Sequence, residues 1–360
     1  MDRILYLMNV DWNWIKQRPQ FMAEELSNFF EIDCVTPRWY NRKGLQNRKE
    51  QDKRIHFMRF YGVPFAGRSL TIKKINARLR TLFVHICYLL RRPDFIYITY
   101  PDQYSNWMSR SKTRVIYDCM DNLPALAGSD DAKRLVQQQE EKLIANADYI
   151  FTTSLNLRDT LIKRYNLQNK NVAICRNGYS GKILDYKPYH HETDDNLYHF
   201  AYIGTISSWM NFGVLLQCVS NIENVVFHLI GPVQSGVDCP SHPRIVFEGT
   251  VEHEHLGVAV SRYDGLIMPF VVNDIIEAVD PVKLYEYINF CKPIISVRYP
   301  EIQRFEPFVF FYSSSDEFVD AVEQVMHKEG LKYSMDERSN FLADNTWYGR
   351  AEIVSKAVRE

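Results

Sequence analysis

Lys283 and Glu286 stand three residues apart just beyond Asp280-Pro281, inside the segment MPFVVNDIIEAVDPVKLYEYINFCKPIISV that runs from Met268 to Val297. Asp280 is a good N-cap and proline is favoured in a first turn, so the pattern predicts a helix that starts at Asp280, opens with Pro281 and Val282, and runs to about Asn289. A cation at Lys283 then opposes the positive end of the helix dipole at a cost of roughly 0.3–1 kcal/mol, and a bound phosphate reverses that sign. Glu286 shares the helix face of Lys283. One group could meet a phosphate while the other accepts hydrogen bonds from sugar hydroxyls. The competing reading is an ordinary capped helix with a surface ion pair.

Glycine follows three expected strands in the same half: Tyr202-Ile203-Gly204-Thr205, Leu229-Ile230-Gly231-Pro232 and Phe247-Glu248-Gly249-Thr250. Such glycines let a ligand approach the backbone, although glycine is also the commonest turn residue. Together with the helix start they outline a nucleotide-sized edge. Neither half carries GxGxxG after its first strand, and no GxxxxGK[ST] is present, which disfavours a dinucleotide or P-loop site. In the first half the opening strand feeds VDWNWIKQRPQFMAEELS. Trp12 or Trp14 could stack on a sugar ring and Arg18 could meet a phosphate or an acceptor, or the tryptophans pack and Arg18 is a surface charge. Farther on, Val115 to Tyr117 leads into Asp118-Cys119-Met120-Asp121. These carboxylates could serve as a general base, bind a metal or cap a loop. Metal is the weakest option, since no further carboxylate cluster completes a site, and Asp121, deeper in the loop, is the preferred polar participant.

The elements that must position these groups read as short apolar runs alternating with helical patterns, the signature of parallel sheets flanked by helices. Strands are expected at 4–8, 32–35, 55–59, 95–99, 115–117, 149–152 and 172–174, with helices near 19–30, 70–90, 131–145 and 154–165. The polar stretch KPYHHETDDN, within 181–196, reads as a linker. A second series of strands follows at 199–203, 225–230, 245–247, 265–268, 293–297 and 309–312, then helices at 315–328, 335–343 and 346–358. The fold class is α/β, with two doubly wound parallel-sheet domains.

Hydrophobic residues make up 46% of the 360-residue chain, enough for two cores. No apolar run reaches the roughly 20 residues that span a bilayer, and the N-terminus has no secretion signal, so a cytoplasmic protein is expected. Seven scattered cysteines without a CxxC pair read as reduced core residues. The net charge of −1 conceals a basic stretch. Arg38, Arg42, Lys43, Arg48, Lys49, Lys53, Arg54, Arg59, Arg68, Lys73, Lys74, Arg78, Arg80, Arg91 and Arg92 face only Glu50 and Asp52. Within it, RSLTIKKINARLRTLFVHICYLLRR is amphipathic, with Leu79, Leu82, Phe83, Ile86, Leu89 and Leu90 on one side. This favours an anionic membrane surface, with Lys73, Lys74, Arg78 and Arg80 as contacts, over nucleic acid. A core-packed helix with a basic solvated face is the alternative.

The order RPQ, YDCMDN, EEKLIANADYIFTTS, RNGY, YIGTISSW, LIGP, FEGTV and DPVKLYEYINFCKPIIS resembles glycosyltransferases of family 4, in particular the bacterial surface-polysaccharide branch akin to the teichuronic-acid transferases. The resemblance covers nearly the whole chain. It implies the GT-B architecture: two Rossmann-like domains facing a cleft, 1–182 for the acceptor and 183–345 for the nucleotide sugar, with 346–360 crossing back as a helix. By position, Glu286 matches the second glutamate of the family's E-x7-E motif, which binds ribose hydroxyls. The first glutamate is replaced by Ala278, with Glu277 or Asp280 as stand-ins. The Arg and Lys that usually follow the YIG-type strand are missing from Thr205-Ile206-Ser207-Ser208-Trp209, which leaves Lys283 to hold the diphosphate. Asp121 stands near the position where many members place a catalytic-site histidine. The implied reaction moves a sugar from a nucleotide diphosphate sugar, UDP first among the bases, to a lipid-linked saccharide, with retention and without a metal or other cofactor. Its place is the inner face of the plasma membrane. A nucleotide-sugar 2-epimerase of the same fold and a non-catalytic saccharide- or lipid-binding scaffold are the rival readings.

Overall fold

The computed structural model describes residues 1–14, 16–38, 54–64, 70–168, 170–179, 181, 183–185, 196–251, 255–327 and 331–360. Of the basic stretch, Arg42, Lys43, Arg48, Lys49, Lys53 and Arg68 lie outside the described residues, as does most of the expected linker. The chain forms two compact units, Met1–Ser180 with Thr346–Glu360, and Gly181–Asn345.

The first unit holds β1 (Arg3–Leu7), β2 (Glu31–Pro37), β3 (Ile55–Phe60), β4 (Phe95–Ile98), β5 (Arg114–Cys119), β6 (Tyr149–Thr152) and β7 (Val172–Ile174), with α1 (Arg18–Leu26), α2 (Leu70–Arg91), α3 (Asp130–Asn146) and α4 (Leu155–Tyr165). Its seven strands lie in the order β3-β2-β1-β4-β5-β6-β7, and every neighbouring pair is parallel. Helices on both faces explain why strands such as FIYI of β4 are buried along their whole length and read as unbroken apolar runs. Ser129 and Ser154 start α3 and α4 by accepting the N–H of Ala132 at 3.3 Å and of Leu157 at 3.1 Å. Helix α1 ends at Leu26, short of the expected Phe30, because Ser27 turns its hydroxyl onto the carbonyl of Glu24 and the chain bends to bury Phe30.

The second unit holds β8 (Tyr198–Ile203), α5 (Phe212–Asn221), β9 (Val225–Ile230), β10 (Ile245–Gly249), α6 (Leu256–Val260), β11 (Gly265–Met268), α7 (Val282–Asn289), β12 (Ile294–Val297), β13 (Val309–Tyr312), α8 (Ser315–His327) and α9 (Met335–Asp344). Its sheet runs β10-β9-β8-β11-β12-β13, again all parallel. Helix α5 was not anticipated, since FGVLLQCVSN is apolar on nearly every side and periodicity does not separate a buried helix from a strand. The last helix, α10 (Trp347–Arg359), belongs to the first unit, where Trp347 stacks on Phe21 of α1 with ring centroids 5.0 Å apart.

All seven cysteines are free, and all but Cys239 are buried. Among the described residues no helix is long and apolar enough to cross a membrane.

Candidate functional site

In each sheet the strand order reverses at one point, between β1 and β4 and between β8 and β11. Open α/β sheets bind ligands at the carboxyl ends of strands beside such a reversal.

In the second unit that edge collects the glycine turns and the start of α7. Gly204 follows β8 and Gly231 follows β9 with φ of 143° and 146°, in the range that favours glycine. A Cβ on Gly231 would lie 2.0 Å from the carbonyl oxygen of Gly204, and one on Gly204 would lie 2.1 Å from Cε of Lys283. The lysine stem therefore rests directly on the Gly204 backbone. Its Nζ lies 5.7 Å from the ring centroid of Tyr202, and among the described residues no carboxylate pairs with it. The N–H of Gly204 donates to Ile230 at 2.8 Å and that of Gly231 to Gly249 at 2.7 Å, which ties the three strand ends together. Tyr287, one turn beyond Lys283, accepts the N–H of Ile203 at 2.8 Å and braces α7 against β8. Thr205 is half-buried with its carbonyl accepting the hydroxyl of Tyr202 at 2.9 Å, while Pro232 and Thr250 are exposed. Glu286 and Val282 are half-buried.

The helix start differs from expectation. Pro281, not Asp280, holds the N-cap position, and no side chain caps α7. Asp280 is buried, ion-paired with Arg304 and hydrogen-bonded by the hydroxyl of Tyr285 at 3.2 Å. Burial pulls the Arg304 guanidinium down, and Asp280 beside it more than offsets this, so the charge is held. Ala278 is 2% exposed at the end of a 3-10 turn. Of the two stand-ins for its missing carboxylate, Asp280 is thus committed inward. Glu277 is half-buried, and its carboxylate has no partner among the described residues.

The first unit treats its candidates differently. Arg18 is 5% exposed and grips Asp118, which is 0% exposed, with Nε to Oδ2 at 2.9 Å and Nη2 to Oδ1 at 2.8 Å. Its Nη1 donates to the carbonyl of Arg176 at 3.1 Å. An open contact for a phosphate was expected, but β5 extends through Asp118 and carries that carboxylate into the sheet, where a buried charge needs a partner. Burial lowers the Arg18 pKa and Asp118 raises it further, leaving it well above its ordinary value. Trp12 is buried, edge-on to Phe57 at 4.6 Å, and so packs rather than presenting a face to a sugar. Trp14 is half-buried. Asp121 reaches solvent, yet protein crowds it closely enough that burial raises its carboxyl pKa; Arg18 draws it down and Asp118 pushes it up.

On α2 most of the expected stripe is exposed, but Phe83 is half-buried with its ring centroid 5.7 Å from that of Phe60. Leu82 is 57%, Leu89 59% and Leu90 76% accessible, with Ile75, Leu79 and Ile86 beside them, while Val84 and Cys87 face the core. Lys73, Lys74 and Arg78 are exposed and, among the described residues, have no carboxylate partner. Arg80 does not join them, because it is ion-paired with Asp102 at 2.8 Å.

Tyr287 and Arg304 are neighbours of the candidate groups that the sequence did not single out, and Tyr202, named only as part of a strand end, lies under Lys283. Helical spacing alone puts Tyr287 beside Lys283. No local spacing marks the partner of Asp280, 24 residues away.

No family model matches the chain. It is 22% identical over 255 residues to TuaH of Bacillus subtilis (strain 168), a glycosyltransferase assigned to teichuronic acid biosynthesis. The alignment takes in 65% of this chain and 64% of TuaH, just under two thirds of that relative. Among solved structures, sucrose-phosphate synthase of Thermosynechococcus elongatus superposes with a TM-score of 0.76 at 13% identity, over 100% of this chain and 98% of that one. The Anabaena protein HepE, in complex with UDP and glucose, superposes with a TM-score of 0.68 at 12% identity, over 100% of both chains. The fold is GT-B. The resemblance read from the sequence is matched by these relatives, which are glycosyltransferases by name or neighbours of them in structure.

Proposed function

We propose that the protein is a glycosyltransferase of bacterial surface-polysaccharide synthesis, moving a sugar from a nucleotide diphosphate sugar to a saccharide acceptor that is lipid-linked. The observation that carries this reading is Lys283, laid over Gly204 without a carboxylate partner among the described residues, beside a helix start that no side chain caps. Lys283 and the first-turn N–H groups of α7 hold the diphosphate and stabilise its charge as it leaves. Glu286 takes the ribose hydroxyls, and the UDP held by HepE makes uridine the first base to try. In a front-face course with retention, the bond from C1 to the diphosphate oxygen breaks, the bond to the acceptor oxygen forms on the same face, and the acceptor proton passes to the departing diphosphate. Asp121 orients the acceptor hydroxyl.

A thermal-shift screen of UDP, GDP, dTDP and CDP sugars identifies the donor, because ligand binding raises apparent stability. With that donor, Lys283→Ala lowers turnover by roughly 10²–10³-fold while the unfolding temperature stays near that of the parent. Near-normal turnover would reject the leaving-group role. Epimerised nucleotide sugar formed without acceptor would favour the epimerase reading instead.

The apolar stripe of α2 supports a place on the anionic inner face of the plasma membrane. Lys74 and Arg78 follow one edge of the stripe by helical spacing, so the leucines meet acyl chains where the bases meet lipid phosphates. Charge reversal at Lys73, Lys74 and Arg78 releases the protein from phosphatidylglycerol vesicles in a sedimentation assay. Equal sedimentation of parent and variant sinks the assignment.

A further inference from the structure

Asp280 lies directly before Pro281, at the point where the sequence calls for an N-cap, yet its carboxylate does not cap α7. It is held inward by Arg304 and by the Tyr285 hydroxyl, which itself accepts from Arg304 at 2.6 Å. The group is enclosed by aromatic rings. The Arg304 guanidinium lies 4.1 Å from the ring centroid of Phe305, and Tyr285 packs edge-on to Phe305 at 5.3 Å. A free aspartate at this position would do two things. It would accept the first-turn N–H groups of α7, and it would set a negative charge beside Lys283. Either one competes with a diphosphate for the same positive end.

We infer that Arg304 is a positioning residue for nucleotide binding: it keeps the Asp280 carboxylate turned away from the first turn of α7, so that those N–H groups and Lys283 remain open to the diphosphate. This rests on the reading of Lys283 as a diphosphate ligand. Arg304 touches neither donor nor acceptor and acts through Asp280 alone. The charge it neutralises is one the helix start would otherwise recruit. Tyr285 shares the load, its hydroxyl also donating to Asp280.

The test is UDP affinity by titration calorimetry on the intact chain, with thermal unfolding recorded for every variant. Arg304→Met is expected to weaken UDP binding by roughly tenfold, on the scale of a charge moved to a helix terminus and a ligand hydrogen bond lost. Asp280→Ala leaves affinity at the parent level, and Arg304→Met combined with Asp280→Ala recovers it, because the Asp280 carboxylate is gone. A double variant that binds as poorly as Arg304→Met overturns the inference and makes Arg304 a packing residue only. If Arg304→Met does not fold, Tyr285→Phe takes its place. It removes a donor to Asp280, lowers affinity by roughly threefold, and is likewise corrected by Asp280→Ala; no correction overturns the inference. Lys283→Ala separates the two levels. Parent-level UDP affinity in that variant, or failure of the parent protein to bind UDP, GDP, dTDP and CDP alike, defeats the diphosphate reading itself and with it the inference.

Discussion

At the carboxyl edge of the first sheet a buried guanidinium, Arg18, closes on a buried carboxylate, Asp118, with bonds of 2.8 and 2.9 Å. At the same edge of the second sheet Lys283 lies over Gly204, and no carboxylate among the described residues pairs with it. Both edges border the strand-order reversal of a parallel sheet, so topology treats them alike. Electrostatics separates them. The first edge cancels its charge internally and leaves Asp121, a carboxyl with a raised pKa, as the group that reaches solvent. The second turns its buried acid, Asp280, toward Arg304 and leaves the cation. The corresponding edges of the two sheets thus present different groups, a carboxyl in the first and a cation in the second.

The sharpest way to break this contrast is to unpair the first edge. Asp118→Asn leaves the Arg18 charge buried without its counterion and costs about 3–5 kcal/mol of stability, read as a lower denaturant midpoint at unchanged slope. Replacing both partners with apolar residues costs much less. A small loss for Asp118→Asn alone would mean that the guanidinium reaches solvent.

Glu286→Ala tests the second edge more gently. It is expected to weaken nucleotide-sugar affinity by roughly tenfold with little change in turnover at saturation, and calorimetry with the identified donor decides it. Unchanged affinity would remove Glu286 from the ribose.

The smallest effect is on pH. A carboxyl whose folded pKa stands above its unfolded value is ionised only at higher pH, so an Asp121 that must be ionised loses activity as pH falls through that raised value. The acid limb of kcat/KM for the acceptor then lies above the ordinary aspartate range, and Asp121→Asn abolishes it. The stability contribution has the opposite sense. The folded state binds the proton more tightly, so stability falls as pH rises from the unfolded to the folded pKa. An acid limb that survives in Asp121→Asn belongs to another group.

Much of the fold was legible in the sequence because the parallel strands are buried on both faces and stand out as apolar runs. β6, β7, β9, β11 and β13 lie where the pattern put them, end to end. The site was legible as far as local chemistry reaches. Strand-end glycines and a lysine in a first turn are features of neighbouring residues, and Gly204, Gly231 and Lys283 do come together. Misreadings arose where a side chain found a distant partner. Asp280 has the pattern of a cap but pairs with Arg304, and Arg80 has the pattern of a surface base but pairs with Asp102.

The sequence by itself determined the alternation of strand and helix, the two parallel sheets and the presence of a cation in the first turn of α7, because periodicity, glycine and proline act over a few residues. Only the tertiary structure decided which charges are cancelled and which face outward. Arg18 meets Asp118 across 100 residues, and the apolar stripe of α2 is known to be exposed only once Val84 and Cys87 are seen to fill the core on the other side. Pairing and burial depend on what folding brings to within a few ångströms, and no local pattern encodes that distance.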